Sequence, residues 1–561
     1  MTSEPRSAPF RMPERFFAEL AAGGGSDEAV GFLACAERAR RLLLLRTLLD
    51  RLHGLRTPLT PAAEAWRIIK EAAGRAPEEV DRLLLTPTAG AWLAHMLRRV
   101  HGTATGPPVW AEAGQLCALA VAASLRAGTR AELRVPLRDG ALPLPGLGLA
   151  VLPDAPPGLT VGRARTGGGE LTLTGPGRDG RTTSASCRPR TEPIGSVTGS
   201  PAPPHWLPLR TLTHHTPNGP VAVHLDDLDP YRDLDDPIPP ERLDREEAEA
   251  WQRLFEEAAA LLARPGGSGP GRLDPAWIRS IVPWGRTAVT PPAPPTVLVS
   301  ASSGDSFGAM VISRPGTALA LAETLVHEFQ HSKLGALLHL FPLLDDDREE
   351  RYYAPWRPDP RHLTGLLHGA YAFTAVAGFW RDRMAEPDHA DLAAYHFALR
   401  RLQSRLVVRT LLGSGRLTAP GRRLVTGLAR TLDAWLREPV APDALARART
   451  AAALHRTEWR LRNVAPGPGS APRLRPDREH WPDRRTQAFA VRPAAPRTAD
   501  EHLAAADPAT ALAHYADALA DHPSDPHLLA GWIVARAAKD PGPTARRLLA
   551  RPELLQPQPS G

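Results

Sequence analysis

The pentapeptide His327-Glu328-Phe329-Gln330-His331 sets two imidazoles four residues apart with a carboxylate next to the first. On a helix those positions lie one turn apart on the same face, so both rings reach one ion. The glutamate then sits beside whatever else the ion binds. Hydrolysis uses such a pair: zinc polarises a scissile carbonyl and lowers the pKa of its water, with Glu328 as general base.

Two histidines leave the metal's ligand set incomplete. The metzincin extension requires glycine at 334 and histidine at 337, where this chain has Leu334 and Leu337; Gly335 and His339 are out of register. A third ligand therefore comes from elsewhere. His368, within Leu366-Leu367-His368-Gly369-Ala370-Tyr371, stands on an otherwise apolar helical stretch, where an unpaired imidazole is costly. A histidine hydrogen-bonded within the core is the plain alternative. His362, His339, Glu323, Glu349, Glu350 and Asp345 to Asp347 are weaker candidates, and Glu323, one turn before His327, also suits a supporting bond to it. The loop Tyr353 to Arg361 carries Arg357 and Arg361, whose forked guanidinium groups suit a carboxylate. Arginines in solvent on a loop packed by Trp and Pro are the bland reading of that loop.

The elements that must position these groups are legible around them. Leu319, Ala322, Leu325, Val326, Phe329, Leu334 and Leu338 supply the apolar positions of a helix from 317 to 340, with no internal proline. Two short strands in hairpin order, Thr296 to Ser300 and Ala309 to Ser313, precede it. Apolar helices at 363–383 and 391–412, then 420–438 and 442–462, follow it. The expected class is α+β, predominantly α-helical, with a β-rich insertion and short strands before the HExxH helix. The expected organisation is an N-terminal helical region (1–128), a β-rich unit (129–235), a catalytic domain (236–464), a Pro/Arg/Gly-rich linker (465–497) and a helical tail (498–561). In the β-rich unit, Leu133 to Leu137, Leu171 to Thr174 and Val221 to Leu225 alternate as strands, and Gly175 to Pro204 reads as a loop. In the tail, Ala509–Leu519 and Pro526–Ala538 have the grammar of one tetratricopeptide-like pair, too few for a solenoid and expected to cap the main body.

Length and composition narrow the classes. A chain of 561 residues is long for one core. The net charge of +7 invites a nucleic-acid reading, but basic residues interleave with acidic ones, as in Asp244-Arg245-Glu246. No sustained basic block with aromatics appears, so no nucleic acid is expected. Cys35, Cys117 and Cys187 are far apart and form no CxxC pair, which fits a reducing compartment. The opening MTSEPRSAPF has no apolar core behind a basic region, and charges interrupt every long apolar run. A cytoplasmic protein without membrane contact is expected.

Three segments together carry a family resemblance: Leu325 to His331, Pro355-Trp356-Arg357-Pro358-Asp359-Pro360-Arg361, and Leu366 to Tyr371. Over residues 295–410 the chain resembles the HExxH-motif peptide-modification family encoded beside actinobacterial ribosomal peptide natural-product genes. Members of that family are viewed as iron(II)- and 2-oxoglutarate-dependent peptide β-hydroxylases. The resemblance implies that His327 and His331 ligate iron with His368 as third ligand. It further implies that Arg357 or Arg361 binds the distal carboxylate of 2-oxoglutarate, and that the substrate is a ribosomally made precursor peptide. HExxH taken alone favours a zinc metallopeptidase, which stands as the alternative. A non-catalytic scaffold that presents a peptide is a third reading.

Overall fold

The computed structural model describes residues 11–195, 205–216, 219–234, 236–263, 268–284, 299–466, 472–475 and 488–555. The fold is mixed α+β and mostly helical. Two compact units divide it. One takes its described residues from Val30–Gly266 and Leu273–Leu340, the other from Met1–Ala29, Gly267–Arg272 and Phe341–Gly561.

The first unit holds most of α2 (Asp27–Leu52), since α1 (Glu14–Ala21) belongs to the other. Next come α3 (Ala62–Arg75), α4 (Pro77–Leu84), α5 (Pro87–Val100), α6 (Val109–Ala113) and α7 (Gln115–Ala127). Helix α7 is buried nearly all round, as its run of Ala, Leu and Val requires, and it ends at Gly128, whose φ of +65° is the left-handed cap that glycine adopts freely. Strands β1 (Ala131–Arg138), β2 (Ala141–Leu144), β3 (Gly148–Val151), β4 (Leu159–Gly167), β5 (Glu170–Pro176) and β6 (Thr182–Cys187) follow, then β7 (Glu192–Pro193) and β8 (Trp206–Pro208). Six of these and β8 form an antiparallel sheet in the order β6-β5-β4-β1-β2-β3-β8. Leu133, Val135 and Leu137 of β1 point into the core while their neighbours face outward, the period-two pattern of a half-buried strand.

The stretch 175–204 is not all loop, which corrects the expectation for it. Thr182–Cys187 pairs with β5 from Leu171↔Cys187 to Pro176↔Thr182. Its sequence, Thr-Thr-Ser-Ala-Ser-Cys, is polar because β6 is an edge strand with only Ala185 and Cys187 buried, so hydrophobic periodicity could not reveal it. Residues 196–204 of that stretch lie outside the described residues.

The second sheet positions the helix that carries the HEFQH segment. Its order is β12-β13-β11-β10-β9-β7, built from β9 (Arg210–Thr216), β10 (Gly219–Leu225), β11 (Ser280–Pro283), β12 (Ser300–Ala301) and β13 (Ala309–Ile312) as well as β7. Strands β10, β11 and β13 run parallel, and Ile281, Val282, Met310, Val311 and Ile312 are all buried, as the inner strands of a covered sheet must be. Strands β12 and β13 pair antiparallel with Ser300 opposite Ile312, in the expected hairpin order. Residues 296–298 of the first expected strand lie outside the described residues. The β-rich stretch thus splits between two sheets, with β9 and β10 joining the strands that precede the HEFQH helix. Helix α8 (Arg245–Leu262), capped where Asp244 accepts the Glu247 amide at 2.8 Å, packs on α9 (Ala318–Leu340).

The second unit is helical: α1, α10 (Leu363–Arg381), α11 (Ala390–Gly413), α12 (Ala419–Trp435) and α13 (Pro442–Asn463), then α14 (Ala499–Ala504), α15 (Pro508–Asp521), α16 (Pro526–Lys539) and α17 (Pro543–Ala550). The tail shares a core with α11 and α13 through Tyr395, Leu399, Leu454, Tyr515 and Val534. Val464–Pro466 pairs with Pro472–Leu474 at the start of the expected linker; its residues 467–471 and 476–487 lie outside the described residues.

One buried group in this unit makes stability depend on pH. His396 of α11 stacks on Trp380, ring centroids 4.5 Å apart, and burial reinforced by the positive charge of Arg400 pushes its imidazole down to about 3. A histidine depressed from its ordinary 6.5 contributes stability that is present above that value and lost as pH falls toward 3. His396→Phe keeps a stacking ring that takes no proton. Thermal melts of variant and parent should diverge in favour of the variant as pH falls from 7 to 4; a pH-independent difference would remove His396 from the acid response.

Candidate metal centre

Helix α9 starts after Pro315-Gly316, where the Thr317 hydroxyl accepts the Ala320 amide at 3.2 Å and the Thr317 carbonyl accepts from Leu321 at 3.0 Å. Its middle is buried almost all round: Leu325, Val326, Glu328, Phe329, Gln330, Ser332, Lys333 and Leu334 are all covered. His327 and His331 are half-buried, on the face that remains partly open.

Their Nε2 atoms lie 3.1 Å apart, with ring planes at 79°. Two imidazoles bound at the usual zinc–nitrogen distance in a tetrahedral shell hold their nitrogens roughly 3.3 Å apart. The pair is therefore spaced to share an ion. Glu328 places a carboxylate oxygen 4.0 Å from the His327 Nε2. It is almost wholly buried, and its Oε2 has no hydrogen-bond partner among the described residues. A buried carboxylate oxygen left this way is unfavourable by about 1–3 kcal/mol or more unless a cation or a donor faces it. Among the described residues, His327, Glu328 and His331 are the group of potential donors that gathers within 4.8 Å. The residues present fit a metal ion.

Around this group, the turn after β12 braces α9. The Ser302 hydroxyl points to the Glu328 carbonyl at 3.5 Å, the Gly308 amide donates to the Ser332 hydroxyl at 3.2 Å, and Gly304 rests against Gly335 so closely that a Cβ on residue 335 would meet the Gly304 Cα at 3.3 Å. Arg40 and buried Arg41 of α2 hold the same turn: Arg40 pairs with the Asp305 carboxylate at 2.7 Å and Arg41 donates to the Asp305 carbonyl at 3.4 Å, itself anchored on the Leu84 and Thr86 carbonyls at 2.9 and 2.7 Å. None of these braces was expected from the sequence. Serines and arginines are too common for spacing to single them out, and Arg41 is remote from α9 in the chain. Lys333, also not singled out, is buried in α9, and burial pushes its ammonium down to about 7. A lysine among Leu and Ala on an apolar turn was the available signal.

The remaining candidates are distributed as follows. His339, at the exposed end of α9, faces Glu37 at 3.6 Å. In the second unit, His362 caps α10: its Nδ1 lies 2.7 Å from Asp346, whose carboxylate also accepts the Thr364 amide at 2.9 Å. Burial alone would raise Asp346, but the bonds from Thr364 and His362 hold it below the ordinary carboxylate range. Asp347 and Glu349 pair with Arg351, Asp345 pairs with Arg416, and Glu350 is exposed. Arg357 and Arg361 both hold Asp359, at 2.9 and 3.3 Å. His368 stands half-buried on α10; burial, with the nearby charges of His362 and Arg361, pushes its imidazole down to about 4 and leaves it neutral at pH 7, the form that ligates metals. The structure thus gathers His327, Glu328 and His331 in the first unit, and places His368, Arg357 and Arg361 in the second.

Gly369, beside His368, has a steric reason. A Cβ there would lie 2.1 Å from the Trp356 indole, which packs on Phe373 with centroids 4.7 Å apart. Gly369→Ala should cost about 1–3 kcal/mol in urea unfolding and shift the Trp356 fluorescence; an unchanged midpoint and spectrum would show that the loop yields freely.

No protein-family model matches the chain, and no curated protein is significantly similar to it. Among the described residues, no helix is long and apolar enough to cross a membrane, and all three cysteines are free.

Proposed function

We propose that this protein is a metal-dependent peptide-modifying enzyme, an iron(II)- and 2-oxoglutarate-dependent β-hydroxylase of a ribosomally made precursor peptide acting in the cytoplasm. The observation that carries the metal is the 3.1 Å approach of the His327 and His331 Nε2 atoms, with the buried Glu328 carboxylate 4.0 Å from His327 through its Oε1. The oxidative assignment rests on the resemblance across residues 325–371, with His368 as third ligand. Iron with 2-oxoglutarate and oxygen would supply the oxidising power: the peptide C–H becomes C–OH as 2-oxoglutarate and O₂ become succinate and CO₂. The chain's own part is to hold the ion on a helix whose buried residues, Leu325 and Val326 before Glu328 and Phe329 and Leu334 after it, seat it in the core. Glu328 orients the ligand next to His327. The guanidinium pair of Arg357 and Arg361 is suited to a carboxylate and holds one in Asp359, so a 2-oxoglutarate carboxylate would compete with Asp359 there.

A second reading, a zinc peptidase, draws on the same Glu328, whose carboxylate lies 4.0 Å from the His327 Nε2 and suits a general base. Anaerobic reconstitution separates the two. With Fe(II), 2-oxoglutarate, oxygen and the candidate peptide, a gain of one oxygen mass with matched succinate is expected. Cleavage with Zn(II) that is indifferent to oxygen would replace the hydroxylase with the peptidase. His368→Ala should abolish iron loading; unchanged metal stoichiometry would remove His368 from the ligands.

A further inference from the structure

Outside the metal centre, the first unit has a cleft of about 820 Å³ among the end of α2, the start of α3 and the α6–α7 junction. The polar groups of its floor are already paired within the protein. The Thr60 hydroxyl accepts the Arg134 amide at 2.8 Å, the Thr60 amide donates to the Arg134 carbonyl at 3.2 Å, and the Cys117 thiol points at the Thr60 carbonyl at 3.5 Å. Gly114 lets Leu59 and Pro136 close the floor, since a Cβ on it would lie within 2.6 Å of both. Above the floor, Trp66 and Trp110 line the cleft half-buried. On the rim, Lys70, Arg56 and His53 are exposed and have no ion-pair partner among the described residues, with Asp50 the one carboxylate in the lining.

A site for a small polar metabolite needs converging polar groups in its floor to fix orientation, and here they are spent on the protein itself. An aromatic, Leu-lined centre edged by the unpaired Lys70 and Arg56 instead has the anatomy of a macromolecular contact, with apolar anchors inside and charge at the edge. The cations set the sign of the partner. We propose that this cleft docks an acidic peptide segment, which seats a large apolar side chain against Trp66 and Trp110 and faces its carboxylates to Lys70 and Arg56. The segment is a partner distinct in position from any residue reacting at the metal, and the docking does not depend on which chemistry the metal performs.

The test is a selection from phage-displayed random dodecamers on the immobilised, metal-free full chain, followed by fluorescence anisotropy with the enriched peptides at low and high salt. Acidic peptides bearing Trp, Phe or Leu should be enriched, and their binding should weaken with salt. Trp66→Ala/Trp110→Ala should reduce affinity roughly tenfold or more. Arg56→Glu/Lys70→Glu, at exposed positions that leave folding intact, should lose the acidic peptides and select neutral or basic ones. No enrichment, enrichment without acidic bias, or equal binding by the charge-reversed variant would overturn the proposal. Metal plays no part in the measurement, so its failure would leave the metal centre standing, and failure of the metal centre would leave the cleft.

Discussion

Replacing His327 or His331 with alanine should lower metal affinity by more than about 100-fold and abolish turnover, with little loss of fold. The bound is conservative, because groups that merely orient a metal ligand are already worth about 10–100-fold. Both imidazoles are half-buried and face the partly open side of α9, so truncating them opens no deep cavity; the core contacts of Leu325, Val326, Phe329 and Leu334 remain. Competition dialysis of the full chain against a chelator of known affinity reads the first effect and thermal melts the second. A variant that keeps parental affinity would show that the 3.1 Å contact between the rings is a hydrogen bond within the helix and nothing more.

Glu328→Gln should separate binding from chemistry. The amide keeps the shape of the side chain and takes an ionisable carboxyl out of a buried position where Oε2 has no partner among the described residues, so stability should hold or rise. Metal content should be retained. Turnover carries the information. A fall of about 10–100-fold fits a side chain that orients a ligand, as the hydroxylase reading requires. A fall of about 10³–10⁴-fold, with the pH–rate profile losing its acid limb, is what loss of a general base produces and would favour hydrolysis. Unchanged turnover would take Glu328 out of the chemistry altogether.

How far the sequence foretells this arrangement depends on whether the signal is local. Helix α9 was legible because its cap, its apolar positions and the HEFQH spacing all lie within one segment, and the observed Ala318–Leu340 differs from the expected helix by one residue. The hairpin order of β12 and β13 was legible for the same reason. Strand β6 was not, since an exposed edge strand of Thr, Ser and Ala carries no hydrophobic period. Nor was the split of the β-rich stretch: the pairing of His224 with Ser280 joins β10 to a strand more than fifty residues away, which no periodicity encodes. At the site, the histidines and Glu328 followed from spacing, whereas Arg41, Ser302 and Ser332 act across folded distances. The arginine loop shows a third kind of shortfall. Its capacity to hold a carboxylate was readable from two forked guanidinium groups, but that Asp359, two residues from each, already takes that role required the geometry.

The claim beneath all of this is that α9 binds one metal ion through its two histidines. The most direct measurement is the metal retained by the full-length chain after anaerobic loading with Fe(II) or Zn(II) and desalting, run beside the His327→Ala/His331→Ala double variant. One equivalent on the parent and essentially none on the folded variant is the predicted result; equal retention by the two proteins would contradict it.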